Sequence, residues 1–375
     1  YEKSGELLHR VNTVFGNLLS AETDDELQEL AREIMPLMSE HENNISLNEK
    51  LFARIKTVYE LADKAKLTPE QSKLLEDIYT GFVRNGANLQ GDAKEQYRNL
   101  CKELSLLTLQ FSENTLKETN DYRLVLTEKS QLSGLPESAI DAAAETAQEK
   151  GVEGWVFTLH APSYSPFMTY ADNRDLRREL YMAYNTKCTH DNACNNLEIV
   201  KKIANIHMEI ARLLGYDNFA EYNLKERMAQ NSDTVYKLLN QLLEAYTPTA
   251  QKEYDEVQAL ARSEEGADFI LMPWDWSYYS QKLKDRKFSI NDEMLRPYFE
   301  LSKVKEGVFG LASKLYGITF KKNSDIPVYH KDVEAYEVFD KDGTYLAVLY
   351  TDFHPRAGKR SGAWMTSYKG QWIDE

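Results

Sequence analysis

From Glu6 to Phe111 apolar residues recur every three or four positions, and that spacing commits the opening stretch of the chain to α-helix. Leu7, Leu8, Val11, Val14, Phe15 and Leu18 form one stripe, and Leu51, Ile55, Val58, Tyr59 and Ala62 form another. Tyr97, Leu100, Leu104, Leu107 and Phe111 sustain a long helix. Thr68-Pro69-Glu70-Gln71 reads as a helix start, with Thr68 as N-cap, proline in the first turn and Gln71 placed for a capping box. No fixed repeat period runs through these helices, so the pattern predicts a bundle or superhelix of mainly α class.

The pattern breaks at Gly134-Leu135-Pro136, resumes in an alanine-rich helix over Ser138–Glu149, and gives way to strand-like residues Trp155–Leu159. His160–Pro166 reads as a loop, Asp172 as the cap of a helix reaching Tyr184, and the polar stretch Asn185–Asn196 as surface. Leu197, Val200, Ala204, His207, Ala211 and Leu214 fall on one helical face ending at Gly215. A long helix from Ser232 or Asp233 meets Pro248, where a kink is expected. After Gly317 the period changes from helical to two: a short strand at Ile318–Phe320, then Glu334, Tyr336 and Val338 facing Tyr345, Ala347 and Leu349 across the turn Lys341-Asp342-Gly343. The chain order therefore suggests a helical region 1–150, a helical middle region 151–316 and a small antiparallel sheet in 317–375.

At 375 residues the chain is long enough for two or three packed domains. Its net charge of -15 opposes nucleic-acid backbones and anionic membrane surfaces, and no segregated basic patch offsets it. No window approaches the ~20 apolar residues that span a bilayer. A soluble chain is expected, with neither nucleic acid nor membrane as partner. Three cysteines, Cys101, Cys188 and Cys194, do not make a disulfide framework, which favours a reducing compartment and hence the cytoplasm, with the periplasm as the alternative.

The chemistry-bearing motifs are few. No H-E-x-x-H occurs; His41-Glu42-Asn43-Asn44 approaches it, but Ile45 stands where the second histidine belongs. Cys188, His190 and Cys194 share a loop without a usual zinc spacing, and His207 reads as a hydrogen-bonded core residue. Asp340-Lys341-Asp342-Gly343 is a hairpin turn and not a calcium loop, and no nucleophile elbow or phosphate loop is present. Trp274, Trp276, Tyr278 and Tyr279 suit a hydrophobic core better than a ligand groove. Lys359 and Arg360 suit a solvated or acid-paired turn better than a carboxylate site. Gly362, Ala363 and Trp364 differ in kind, because small residues permit close backbone approach. As an edge strand they can bind an extended peptide through main-chain hydrogen bonds; as an inner strand they are ordinary sheet.

Several stretches together resemble the zinc oligopeptidases related to thimet oligopeptidase, and within them the bacterial peptidyl-dipeptidases, or dipeptidyl carboxypeptidases. They are Tyr79-Thr80-Gly81-Phe82-Val83-Arg84-Asn85-Gly86-Ala87, Gly134-Leu135-Pro136-Glu137-Ser138-Ala139 and Lys150-Gly151-Val152-Glu153-Gly154-Trp155. Leu213-Leu214-Gly215-Tyr216, Pro273-Trp274-Asp275, Leu295-Arg296-Pro297-Tyr298-Phe299 and Tyr336-Glu337-Val338-Phe339-Asp340 continue the match, and Lys359-Arg360-Ser361-Gly362-Ala363-Trp364-Met365 completes it.

The resemblance implies a mainly helical body with a small sheet beside a zinc helix, and a peptidase that releases C-terminal dipeptides from short peptides. It also implies that the zinc ligands and the general base follow the Gly-Ala-Trp-Met stretch, beyond Glu375. On that expectation the chain is an inactive fragment that holds no zinc, with Gly362, Ala363 and Trp364 as its substrate-binding residues and exposed apolar surface through which it dimerises. The alternative is a non-catalytic helical module that binds peptides or partner proteins.

Overall fold

The computed structural model describes residues 4–63, 66–289 and 292–371. Among the described residues there are fourteen α-helices and five strands. In chain order they are α1 (Glu6–Ala21), α2 (Asp25–Ser46), α3 (Glu49–Leu61), α4 (Pro69–Arg84), α5 (Gly91–Asp121), β1 (Leu124–Leu126), α6 (Glu137–Glu149), β2 (Trp155–Phe157), α7 (Ala161–Tyr170) and α8 (Arg174–Asn185). There follow α9 (Leu197–Leu213), α10 (Phe219–Leu224), α11 (Ser232–Glu265), α12 (Trp276–Phe288), α13 (Asp292–Leu295), α14 (Leu301–Tyr316), β3 (Thr319–Lys322), β4 (Glu334–Phe339) and β5 (Tyr345–Thr351). The mainly α class with a small antiparallel sheet near the C-terminal end is as the periodicity predicts. Thr68 and Gln71 form the capping box of α4, each side chain closing on the other's backbone N–H at 3.2 and 3.0 Å.

The chain makes two compact units, interleaved along the sequence: Tyr1–Asp24 with Glu118–Lys187 and Lys252–Glu375, and Asp25–Lys117 with Cys188–Gln251. In the second of these, Leu47, Tyr97, Leu100, Leu107, Ile199, Ile206 and Ile210 form the core. The buried face of α9 is thus mainly the isoleucine row; of the expected face Leu197, Val200 and Ala204 are exposed, whereas Ala211 is buried. His207 is half-buried and stacks parallel on Phe219 at 4.0 Å, instead of hydrogen-bonding in the core.

In the unit that carries the sheet, Leu124, Leu126, Leu132, Phe157, Phe167, Met168, Ala171 and Leu180 close around one another. His160–Pro166 is not a loop: Pro162 lies in the first turn of α7, where no intrahelical N–H is needed, and the helix continues through Pro166. Asp172 does not cap α8. Asn173 does, accepting from the Leu176 N–H at 3.1 Å, while Asp172 accepts hydrogen bonds from Ser133 (2.6 Å) and Tyr278 (2.8 Å). Pro248 lies inside α11, which continues beyond it to Glu265.

At the centre of this unit is a buried ion pair. Arg177 is 1% exposed and Asp275 0%. The Arg177 guanidinium donates to Asp275 (3.0 Å) and to the carbonyls of Ala171 (2.7 Å) and Asp172 (3.1 Å), and lies over the Tyr278 ring at 4.0 Å. Arg174 and the Met272 N–H occupy the other Asp275 oxygen at 2.7 and 3.0 Å. Tyr278 and Tyr279 are buried here, in keeping with a core role for the aromatic cluster, although Trp276 is exposed.

The sheet has the order β3-β4-β5, antiparallel throughout, with a bulge at Val338/Phe339. Gly343 takes φ 85°, the left-handed conformation that the turn requires. Phe309 of α14 covers one side, stacking on Phe320 at 4.2 Å and meeting Tyr336 edge-on at 5.0 Å. Residues 362–364, expected to be a strand, are not one. Gly362 has φ 107°, outside the range of β backbone, and the chain after it lies beside β5 without forming a ladder.

Breaking the buried pair with Arg177→Ala leaves Asp275 desolvated and undercompensated. It is expected to cost about 3–5 kcal/mol, read as a lower urea midpoint. Lys201→Ala, which removes an exposed pair on α9, leaves the midpoint in place.

Candidate peptide-binding site

Beyond β5 the chain turns on one carboxylate. Asp352 accepts a two-pronged contact from Arg356, Nη1 and Nη2 both at 2.9 Å, and a hydrogen bond from the Tyr329 hydroxyl at 3.0 Å. Lys359 adds its Nζ at 2.9 Å and also donates to the Asp352 and His354 carbonyls at 2.9 and 3.0 Å. Burial works to raise the Asp352 pKa, but the hydrogen bonds from Arg356, Lys359 and Tyr329 prevail and hold it at about 2.

The same arginine reaches back to the first helix. Its Nε donates to Glu22 and its Nη2 to the Ala21 carbonyl, while the Arg360 N–H donates to the Ser20 carbonyl at 2.8 Å. These carbonyls belong to the last turn of α1, where acceptors have no partner within the helix and a cation is favoured. The Thr23 N–H donates to the Gly358 carbonyl at 2.8 Å. A Cβ at Gly358 would stand 2.5 Å from the Thr23 oxygen, so only glycine allows this approach. Asn120 holds the Ala357 carbonyl at 2.8 Å, and Asn17, buried on α1, donates to the Tyr368 hydroxyl. The expected apolar stripe of α1 is largely exposed at Leu7, Val11 and Val14; its buried residues are Asn17 and Ala21, on the face that holds this turn.

Residues 361–367 then run exposed, apart from the half-buried Trp364 beneath the Arg360 guanidinium at 4.8 Å. No backbone hydrogen bond reaches their main chain among the described residues. Tyr368 meets Tyr350 edge-on at 5.9 Å and Gln371 donates to the Leu346 carbonyl at 2.6 Å, so the chain returns antiparallel beside β5 through side chains. The expected substrate residues Gly362, Ala363 and Trp364 therefore sit on a pinned turn, with unpaired N–H and C=O groups that an extended peptide can use. Lys359 is committed to Asp352, as an acid-paired turn requires. Sequence reasoning missed Glu22, Asn17 and Gly358; only the glycine before a basic pair hinted at close approach.

A cleft of about 500 Å³ adjoins the sheet, lined in part by Lys305, Lys322, Glu334, Phe353 and His354. Lys305 and Lys322, with Tyr336, hydrogen-bond Glu334 and lower its pKa to about 2, so both cations are already paired.

The zinc implied by resemblance finds no fit here. Among the described residues no group of three or more His, Cys, Asp or Glu side chains can hold a metal ion. Cys188 and Cys194 are buried, whereas His190 is exposed.

Asp352 has a folded pKa of about 2 against an ordinary 3.8, so its ionised form is favoured by folding. Its contribution is complete above the ordinary value and is lost as pH falls toward 2. Trp364 emission, taken as the difference from Trp364→Phe, is expected to change over that window and to lose the transition in Asp352→Asn.

Residues 167–373 match the sequence profile of peptidase family M3. The chain is 35% identical to oligopeptidase A of Escherichia coli (strain K12) over 370 residues, covering 98% of this chain and 54% of that protein. It is 35% identical to dipeptidyl carboxypeptidase of the same organism over 372 residues, 99% of this chain and 54% of that one. A probable cytosolic oligopeptidase A of Arabidopsis thaliana is 33% identical over 96% of this chain and 53% of its own length. The chain thus spans about half the length of these relatives. No helix among the described residues is long and apolar enough to cross a membrane. With a family profile matching more than half of it and relatives about 35% identical over nearly its whole length, the chain belongs to peptidase family M3.

Proposed function

We propose that this chain is the N-terminal and central part of a zinc-dependent peptidyl-dipeptidase that acts in the cytoplasm on short peptides and releases their C-terminal dipeptides. The observation that carries the reading is the exposed turn at Gly362–Trp364. Its small residues and unpaired main chain suit a ligand recognised by backbone and not by side chains. Similarity to a protein named dipeptidyl carboxypeptidase supports the dipeptide product, and similarity to proteins named oligopeptidase supports short peptides as substrates.

The zinc and the groups that act on the scissile bond are assigned to polypeptide outside residues 1–375, because this sequence has no H-E-x-x-H. What this stretch contributes is binding and alignment. An extended peptide lying against residues 362–364 has its main chain fixed in direction while its side chains face away.

A second reading is favoured by the exposed apolar row Val304, Val308, Leu311 and Leu315 on α14. On that reading the chain is a helical module that holds a peptide or another protein, a second copy included.

Two outcomes test the first reading. The 375-residue chain is expected to bind no stoichiometric zinc and to cleave no peptide; one tightly held zinc per chain by metal analysis contradicts it. In the whole protein, Ala363→Pro deletes a backbone donor and is expected to raise KM about tenfold or more, whereas unchanged KM and kcat contradict main-chain binding at this turn.

A further inference from the structure

Four contacts separated by more than three hundred residues converge on one turn. The Ser20 and Ala21 carbonyls, the Glu22 carboxylate and the Thr23 N–H all meet residues 356–360, and Asn17 meets Tyr368 on the returning strand of chain. Besides these, the turn is held by Asn120 on the Ala357 carbonyl at 2.8 Å. It lies outside the sheet, and residues 361–367 make no backbone hydrogen bond among the described residues. Arg356 and Lys359 close the loop upon its own Asp352 carboxylate, whose contact outside the loop is the Tyr329 hydroxyl at 3.0 Å.

We infer that the C-terminal end of α1 is a positioning element for peptide binding, with Glu22 as its positioning residue: through Arg356 it sets where Gly362, Ala363 and Trp364 stand. This rests on the reading of that turn as the peptide-binding segment. The physics is that of a two-point clamp. The Arg356 fork spans the Asp352 carboxylate on the loop side and Glu22 with the Ala21 carbonyl on the helix side, so its plane fixes both orientation and distance between the two. The Arg360 N–H and the Gly358 carbonyl add two backbone hydrogen bonds to the same helix end, one on each side of Lys359. An exposed loop whose main chain must meet an extended ligand loses less conformational freedom on binding when it is held in this way beforehand.

The experiment uses the 375-residue chain with Gly and Ala amides isotopically labelled, and N-acetyl-pentaalanine as the peptide. It has two arms. Without peptide, Glu22→Gln and, separately, Gly358→Ala are expected to move the Gly362 and Ala363 amide resonances while the thermal midpoint and the labelled amides of the other compact unit stay unchanged. Unmoved resonances in both variants overturn the positioning role, whatever the peptide does.

With peptide, the unaltered chain is expected to show shifts at Ala363, and Glu22→Gln to weaken the dissociation constant about tenfold with recovery in Glu22→Asp. Peptide shifts absent from Ala363 in the unaltered chain overturn the peptide-binding reading on which the inference rests, even where the first arm succeeds. Equal affinity of the unaltered chain and Glu22→Gln leaves that reading standing and overturns the positioning role.

Discussion

The contact of Arg356 with Asp352 on one side and with Glu22 on the other is the constraint on which the placement of the candidate peptide-binding turn depends. Strand pairing ends at Thr351, and beyond it no ladder fixes the backbone among the described residues. A single guanidinium takes over that role because its five donors lie in one plane and satisfy two carboxylates and a helix-terminal carbonyl together. The cost of desolvating Asp352 is offset by three donors besides the fork's first prong, which is why its carboxyl stays ionised well below the ordinary range.

The two arginine clusters of this compact unit show one chemical device used at different depths. Arg177 and Asp275 are sealed in the interior, where every donor and acceptor named is met, and they lock α8 to the 273–275 turn. Arg356 and Asp352 lie nearer the surface and lock a loop. A buried pair of the first kind is weak evidence for net stability but fixes geometry, since any other arrangement strands a charge. Nearer solvent the geometric role persists with a smaller penalty, which suits a segment proposed to accept a ligand.

Local signals in the sequence were legible wherever the chain alone satisfied them. The hairpin at Lys341–Gly343 and the box at Thr68–Gln71 each close within a few residues, so residue type and spacing suffice. Errors begin where a second element decides. On α9 both Leu197-Val200-Ala204 and Ile199-Ile203-Ile206 obey helical spacing, and packing against Tyr97, Leu100 and Leu107 selects the second. Asp172 and Asn173 are both good caps, and the demand of Ser133 and Tyr278 for an acceptor leaves the cap to Asn173. The Gly-Ala-Trp stretch was legible as special but not as a turn, because its place is set by α1, and contacts between Glu22 and Arg356 leave no period to read. Family resemblance carried what physics could not: the match to oligopeptidases is spread over many short stretches, none informative alone.

On the proposed reading, Gly362–Trp364, held on α1, receives a peptide by its main chain. A crystal structure of the 375-residue chain with N-acetyl-pentaalanine tests it most directly. The account predicts peptide main-chain hydrogen bonds of about 2.7–3.2 Å to residues 362–364 with Arg356 still on Glu22 and Asp352. A peptide bound elsewhere, or bound at this turn only after it has lifted away from Ser20 and Ala21, contradicts it.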